Sequence, residues 1–206
     1  MNTNLLGVKD NRLLFIWTHH IAKGMEYFSQ KRVMHGDLAA RNVLLTEWDS
    51  GNIVAKIADF GLSKRFYDNI IYTKQQRKDV PWKWMAPEYL DKNAFTMNSD
   101  VWSFGVVLWE LFSLGKEPYP RKSFKEVTAD IKQGSFLPYP EVHYAYVPRW
   151  NLETTYKRIA QRCFHLNPFQ RSTFTELVHI LNAEMKDYEK KVYEKLLQQI
   201  QTQNCA

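Results

Sequence analysis

Three oxygen-bearing side chains lie close together in the N-terminal part of the chain: Asp37 and Asn42, five positions apart, and Asp59, directly ahead of Phe60-Gly61. A carboxylate can align a hydroxyl nucleophile and take up its proton, while an amide oxygen and a second carboxylate are hard ligands suited to Mg²⁺ shared with phosphate oxygens. That chemistry is phosphoryl transfer. The residues sit in His35-Gly36-Asp37-Leu38-Ala39-Ala40-Arg41-Asn42 and Asp59-Phe60-Gly61, followed downstream by Ala86-Pro87-Glu88. A lone Asp in a loop is more often a cap, and each string alone is a weak signal. All three in this order argue against chance.

Together the strings resemble the catalytic half of a protein tyrosine kinase, a likeness that extends over about residues 12–182. The resemblance implies that Asp37 is the catalytic base or hydroxyl-orienting carboxylate and that Asn42 and Asp59 hold Mg²⁺ on ATP. Leu44 then matches the floor beneath the adenine, and His35 and Phe60 match a hydrophobic column that aligns two lobes, Gly61 completing the second motif. Glu88 and Arg171 match a buried ion pair, and Asp100 matches a carboxylate that braces the catalytic loop, so these residues serve architecture first. Ala39-Ala40-Arg41 stands where serine/threonine kinases usually carry a lysine two positions after the Asp. Arg41 orients Asp37 and an incoming phenol on this reading, or forms an ordinary loop ion pair. Pro81-Trp82-Lys83-Trp84-Met85 resembles a tyrosine-substrate shelf, and Trp102-Ser103-Phe104-Gly105 with Leu108-Trp109-Glu110-Leu111 points to receptor kinases. The platelet-derived and vascular endothelial growth factor receptor subgroup is the expected branch.

Two departures matter. Ahead of His35 only Gly7 and Gly24 occur, with no glycine-rich phosphate loop and no VAIK-like lysine. The expectation is therefore a kinase-like C-terminal lobe without the N-terminal lobe, active only when that lobe completes the ATP site. The alternative is a noncatalytic docking module, a truncated or pseudokinase-like product. Gly36 occupies the place where most active relatives put an arginine that pairs with a phosphorylated activation-loop residue. Glycine lacks that side chain, yet Asp37 is untouched. Tyr67 and Tyr72 lie between Asp59 and Glu88. Tyr72 resembles an activating tyrosine by its distance from Pro81, with Lys64, Arg65, Lys74 and Arg77 near enough in sequence to receive a phosphate. Both tyrosines can equally be plain loop residues.

The elements that must position these groups follow from periodicity. Apolar Leu13, Leu14, Ile16, Trp17, Ile21, Met25 and Phe28 predict a helix over about 12–29, and Asn98 to Leu114 predicts a helix buried on nearly all faces. Val43–Leu45 and Ile53–Ile57 around Asp49-Ser50-Gly51-Asn52 predict a hairpin. Ser123 with Glu126, and Thr173 with Glu176, have capping-box spacing, and a further helix is expected at about 152–163. The fold expectation is mostly α with a small β-hairpin: linker 1–10, lobe 11–183, and a helical tail 184–206 with a stripe of Tyr188, Val192, Leu196 and Ile200.

With 206 residues and 45% hydrophobic content the chain supports one substantial core. The net charge of +6 comes from Lys and Arg interleaved with Asp and Glu, which reads as a solvated surface and not as a nucleic-acid face. Only Cys163 and Cys205 occur, so no disulfide framework or zinc site is expected and a reducing compartment fits. The richest apolar run, Val101 to Gly115, contains Glu110 and is shorter than the roughly 20 residues of a membrane helix. The resemblance implies a site on the cytoplasmic side of the plasma membrane in a parent receptor. Its expected partners are protein tyrosine substrates, phosphotyrosine-binding signalling proteins and a receptor dimer partner.

Overall fold

The computed structural model describes residues 11–49, 52–65, 70–72, 80–141 and 152–186. The expected linker, Tyr67, Lys74, Arg77 and the apolar stripe beyond Tyr188 lie outside them.

Helix α1 (Asn11–Gln30) buries Leu14, Phe15, Trp17, Ile21 and Met25 along one face, as their spacing requires. The same face ties the helix to the hairpin that follows, the Trp17 indole N–H donating to the Ile53 carbonyl at 3.2 Å. A two-residue strand β1 (Val33–Met34) then leads into a short 3₁₀ turn, Ala40–Asn42, and the hairpin of β2 (Val43–Asp49) and β3 (Asn52–Ile57). The Val43↔Ile57 register places Leu44 opposite Lys56, and the register shifts between Glu47 and Asp49.

The expectation of one small hairpin needs correction, because the described residues contain three two-stranded antiparallel sheets. Strand β4 (Lys64–Arg65) pairs with β1, and β5 (Ile70–Tyr72) pairs with β6 (Ala94–Thr96) in the register Tyr72↔Ala94. Two- and three-residue strands are too short for a period of two to show in sequence.

Helix α2 (Pro87–Lys92) starts with Pro in its first turn and ends at Asn93 in the left-handed region (φ 51°). Helix α3 (Ser99–Phe112) is the centre of the molecule, every one of its residues being buried. Gly105 permits that closeness. A Cβ there would stand 2.8 Å from Cys163 Cβ and 2.9 Å from the Phe164 ring, so α3 and α5 (Leu152–Cys163) meet almost backbone to side chain. Burial pushes the Cys163 thiol up to about 12, which leaves it an inert part of this contact.

Helix α4 (Phe124–Lys132) opens on the full capping box of Ser123 and Glu126. The last helix, α6 (174–186), opens on the same device, with Thr173 N–H to Glu176 at 2.8 Å and Glu176 N–H to Thr173 at 3.2 Å. It runs through the expected boundary at 183 without a break. Glu184 accepts from Thr155 and pairs with Arg158, and Met185 packs on the core. A second, smaller apolar cluster of Met34, Met85, Tyr89 and Phe95 underlies the segment before α2.

Candidate active site

Asp37 is presented by a loop whose backbone has no regular ladder to hold it, so side chains from elsewhere do so. The Asp100 carboxylate, in the first turn of α3, accepts from His35 N–H at 2.7 Å and Gly36 N–H at 3.0 Å. Burial lifts this carboxyl above its ordinary range, against the pull of the two N–H groups. His35 is wholly buried and its tautomer is set by its neighbours. Asp37 N–H donates to Nδ1 at 3.2 Å, so Nε2 carries the proton and donates to the Ala58 carbonyl at 3.1 Å.

The Asp37 carboxylate is gripped on both oxygens. Arg41 donates to Oδ1, and the Asn42 amide nitrogen reaches Oδ2 at 3.0 Å and the Asp37 carbonyl at 2.7 Å. With the amide nitrogen so engaged, the Asn42 oxygen is the atom left to face a cation. Asp59 is exposed at φ 62°, an uncommon backbone state for a non-glycine residue, and one of its carboxylate oxygens accepts Gly61 N–H at 3.2 Å. Phe60 behind it packs its ring 5.4 Å from His35 and 5.2 Å from Phe28, a ring contact that joins the loop to α1. The amide and carboxylate oxygens fit Mg²⁺ as donors. Among the described residues no group of three or more His, Cys, Asp or Glu could hold a metal ion.

Glu88 and Arg171 meet in a bidentate pair, Nη1 to Oε1 at 2.8 Å and Nη2 to Oε2 at 2.7 Å. Ser99 also donates to Glu88 at 2.7 Å, while Arg171 Nη1 and Nε reach the Asn98 and His165 carbonyls, both at 2.9 Å. Leu44 and Phe60 are 57% and 47% exposed, leaving an apolar face beside the loop.

The family model described as protein tyrosine and serine/threonine kinase matches residues 7–181. The chain belongs to this kinase family. It is 41% identical over 169 residues to the vascular endothelial growth factor receptor kdr-like of Danio rerio, covering 82% of this chain and 12% of that protein. It is 40% identical over 171 residues to the fibroblast growth factor receptor of Ciona intestinalis (83% and 21%). Fibroblast growth factor receptor 1 of Pleurodeles waltl is 41% identical over 182 residues (88% and 20%). The chain thus spans 12% to 21% of these relatives' lengths. The similarity reaches fibroblast growth factor receptors as well as the subgroup expected from sequence.

Residues far apart in sequence meet here, His35 and Gly36 with Asp100 and Glu88 with Arg171, whereas Tyr67 lies outside the described residues and Tyr72 lies on β5. Gly36 has φ 79°, and a Cβ would stand 3.0 Å from the Leu62 carbonyl oxygen. Glycine therefore relieves both a backbone and a steric constraint beside Asp37. The loop that carries Asp37 is joined to the segment after Asp59 by a backbone ladder and one hydroxyl. Strands β1 and β4 pair Met34 with Lys64, and the Ser63 hydroxyl donates to the His35 carbonyl at 3.2 Å.

In the sequence Glu110 interrupts an apolar run and forms part of Leu108-Trp109-Glu110-Leu111, and neither reading assigns it a contact. The structure puts the carboxylate of this residue, which is 8% exposed, against the loop that carries Asp37: Oε2 accepts Ala40 N–H and the Trp84 indole N–H, both at 2.8 Å. Burial raises this carboxyl above the ordinary range, opposed by those donors and by Arg41. An acidic residue inside an otherwise apolar helix was the available signal. The Arg41 guanidinium, in turn, lies over the Trp84 ring, 4.7 Å from its centroid.

Proposed function

We propose that the chain is the acceptor-side, C-terminal lobe of a receptor-type protein tyrosine kinase, transferring the γ-phosphoryl group of ATP to tyrosine hydroxyls once an N-terminal lobe completes the site. The observation that carries this reading is the carboxylate of Asp37 held by Arg41 on one oxygen and Asn42 on the other, in a loop braced by Asp100. Asp37 orients the phenol and receives its proton; Arg41 keeps the carboxylate aimed at it. Asn42 and Asp59 would hold Mg²⁺, which would neutralise phosphate charge when bound, and Leu44 would provide the surface under adenine. Substrate tyrosines on proteins, phosphotyrosine-binding signalling proteins, a dimer partner and a place on the cytoplasmic face of the plasma membrane follow from the same reading.

A polypeptide of these 206 residues alone has half of the phosphate contacts and an open Leu44. It is expected to show no micromolar binding of Mg·ATP in titration calorimetry, while fusion to a nucleotide-binding lobe restores it. Micromolar binding by a verified monomer of the chain alone contradicts the division of the site. The exposed Leu44 and Phe60 face gives the noncatalytic docking reading its support. That reading predicts no transfer even in the completed domain.

Regulation is expected to run through Tyr72. A phosphate there adds about −1.5 to −2 charges to a stretch that carries Lys64, Arg65, Lys74 and Arg77 nearby in sequence, the first two exposed on β4. With Gly36 beside Asp37, the β1–β4 ladder and Ser63 link the segment after Asp59 to the loop that carries the carboxylate. Gly36→Arg is therefore expected to increase the gain in rate on phosphorylation, and to destabilise the domain by about 1–2 kcal/mol because of its left-handed backbone. Rates and thermal stability of stoichiometrically phosphorylated and unphosphorylated protein test this. Equal phosphorylation gains with and without the substitution would contradict it.

A further inference from the structure

Glu110 is a charged group on the buried central helix, where an apolar side chain of similar size would fill the space without a desolvation cost. Its two N–H donors explain its presence. One comes from Ala40 in the turn between Asp37 and Asn42, the other from the indole of Trp84 in the Pro81–Met85 segment. Helix α3 also holds the other end of Trp84, since the Ser103 hydroxyl donates to the Trp84 carbonyl at 2.8 Å. The face of that indole supports Arg41, which grips Asp37. One carboxylate oxygen thus joins the segment that would receive the acceptor chain to the loop that bears the catalytic carboxylate.

We infer that Glu110 is a positioning residue that sets the distance between the acceptor shelf and Asp37, acting through Trp84 and Arg41. This rests on the phosphoryl-transfer reading above. The misplacement it prevents is one of geometry, so its loss falls on the protein acceptor and spares the nucleotide.

The test uses the completed kinase domain with a tyrosine peptide, in four variants. Trp84→Phe keeps a ring beneath Arg41 but removes the N–H, and is expected to raise peptide KM about tenfold while ATP KM shifts less than about threefold. Glu110→Ala is expected to do the same, and the double variant to be no worse than either single one. Glu110→Gln, whose amide oxygen can still accept both N–H groups, is expected to stay within about threefold of the unmodified peptide KM. If Glu110→Ala does not fold, Trp84→Phe alone decides. A merely structural role would lower thermal stability and leave the constants of the folded protein alone, so unchanged peptide KM and kcat in folded Trp84→Phe would overturn the inference. Asp37→Asn is the control. If it abolishes transfer while the other variants are silent, only the inference about Glu110 fails; if it too is silent, the phosphoryl-transfer reading fails as well.

Discussion

Asparagine at position 37 is expected to lower phosphoryl transfer by about 10²–10⁴-fold in the completed domain, with the fold retained. Both Asp37 oxygens face donors, Arg41 on Oδ1 and Asn42 on Oδ2. Asparagine offers only one oxygen, so its NH₂ must confront one of those donors. The substitution therefore removes the proton acceptor and loosens its alignment while changing almost no volume. Circular dichroism and thermal melting separate this from unfolding, and single-turnover rates across pH give the effect on chemistry. An unchanged single-turnover rate across pH would rule out the catalytic assignment.

Arg171→Ala is expected to cost about 3–5 kcal/mol of stability, the usual penalty for stranding one partner of a buried pair. The Arg171 side chain is 0% exposed and that of Glu88 10%. Losing the guanidinium leaves the Glu88 carboxylate with Ser99 alone, and leaves the Asn98 and His165 carbonyls without their side-chain donor. It also removes the cation 5.3 Å from the Trp102 ring. Since whole domains are stable by only about 5–15 kcal/mol, the loss is a large fraction of the total. Arg171→Lys keeps the charge but not the fork and should fall between. Equilibrium denaturation measures all three proteins; a loss below about 1 kcal/mol for Arg171→Ala would contradict the pair's architectural role.

How much of this could be read from the chain depended on whether a signal was local. The apolar spacing of Leu14, Trp17, Ile21 and Met25 gave α1 nearly to its ends, and the two capping boxes lie where Ser123 and Thr173 put them. The Asp37, Arg41 and Asn42 contacts span only four or five positions, so they fall within one motif of the sequence. The Ala40–Glu110 and Trp84–Glu110 contacts join residues 70 and 26 positions apart, and no periodicity encodes them. The β1–β4 and β5–β6 ladders were missed because pairing of two or three residues depends on the turns that bring them together. Gly36 was noticed for the side chain it lacks. That its backbone stands at φ 79° against the Leu62 carbonyl needed three dimensions.

The central claim is transfer to tyrosine by a site built around Asp37. Its most direct test joins the chain to a nucleotide-binding lobe, incubates it with Mg²⁺ and γ-labelled ATP, presents peptides that differ only in carrying tyrosine, serine or threonine, and identifies the phosphorylated residue. The account predicts label on tyrosine alone, lost in Asp37→Asn. Label on serine or threonine, or no transfer by a folded domain that binds Mg·ATP, would contradict it.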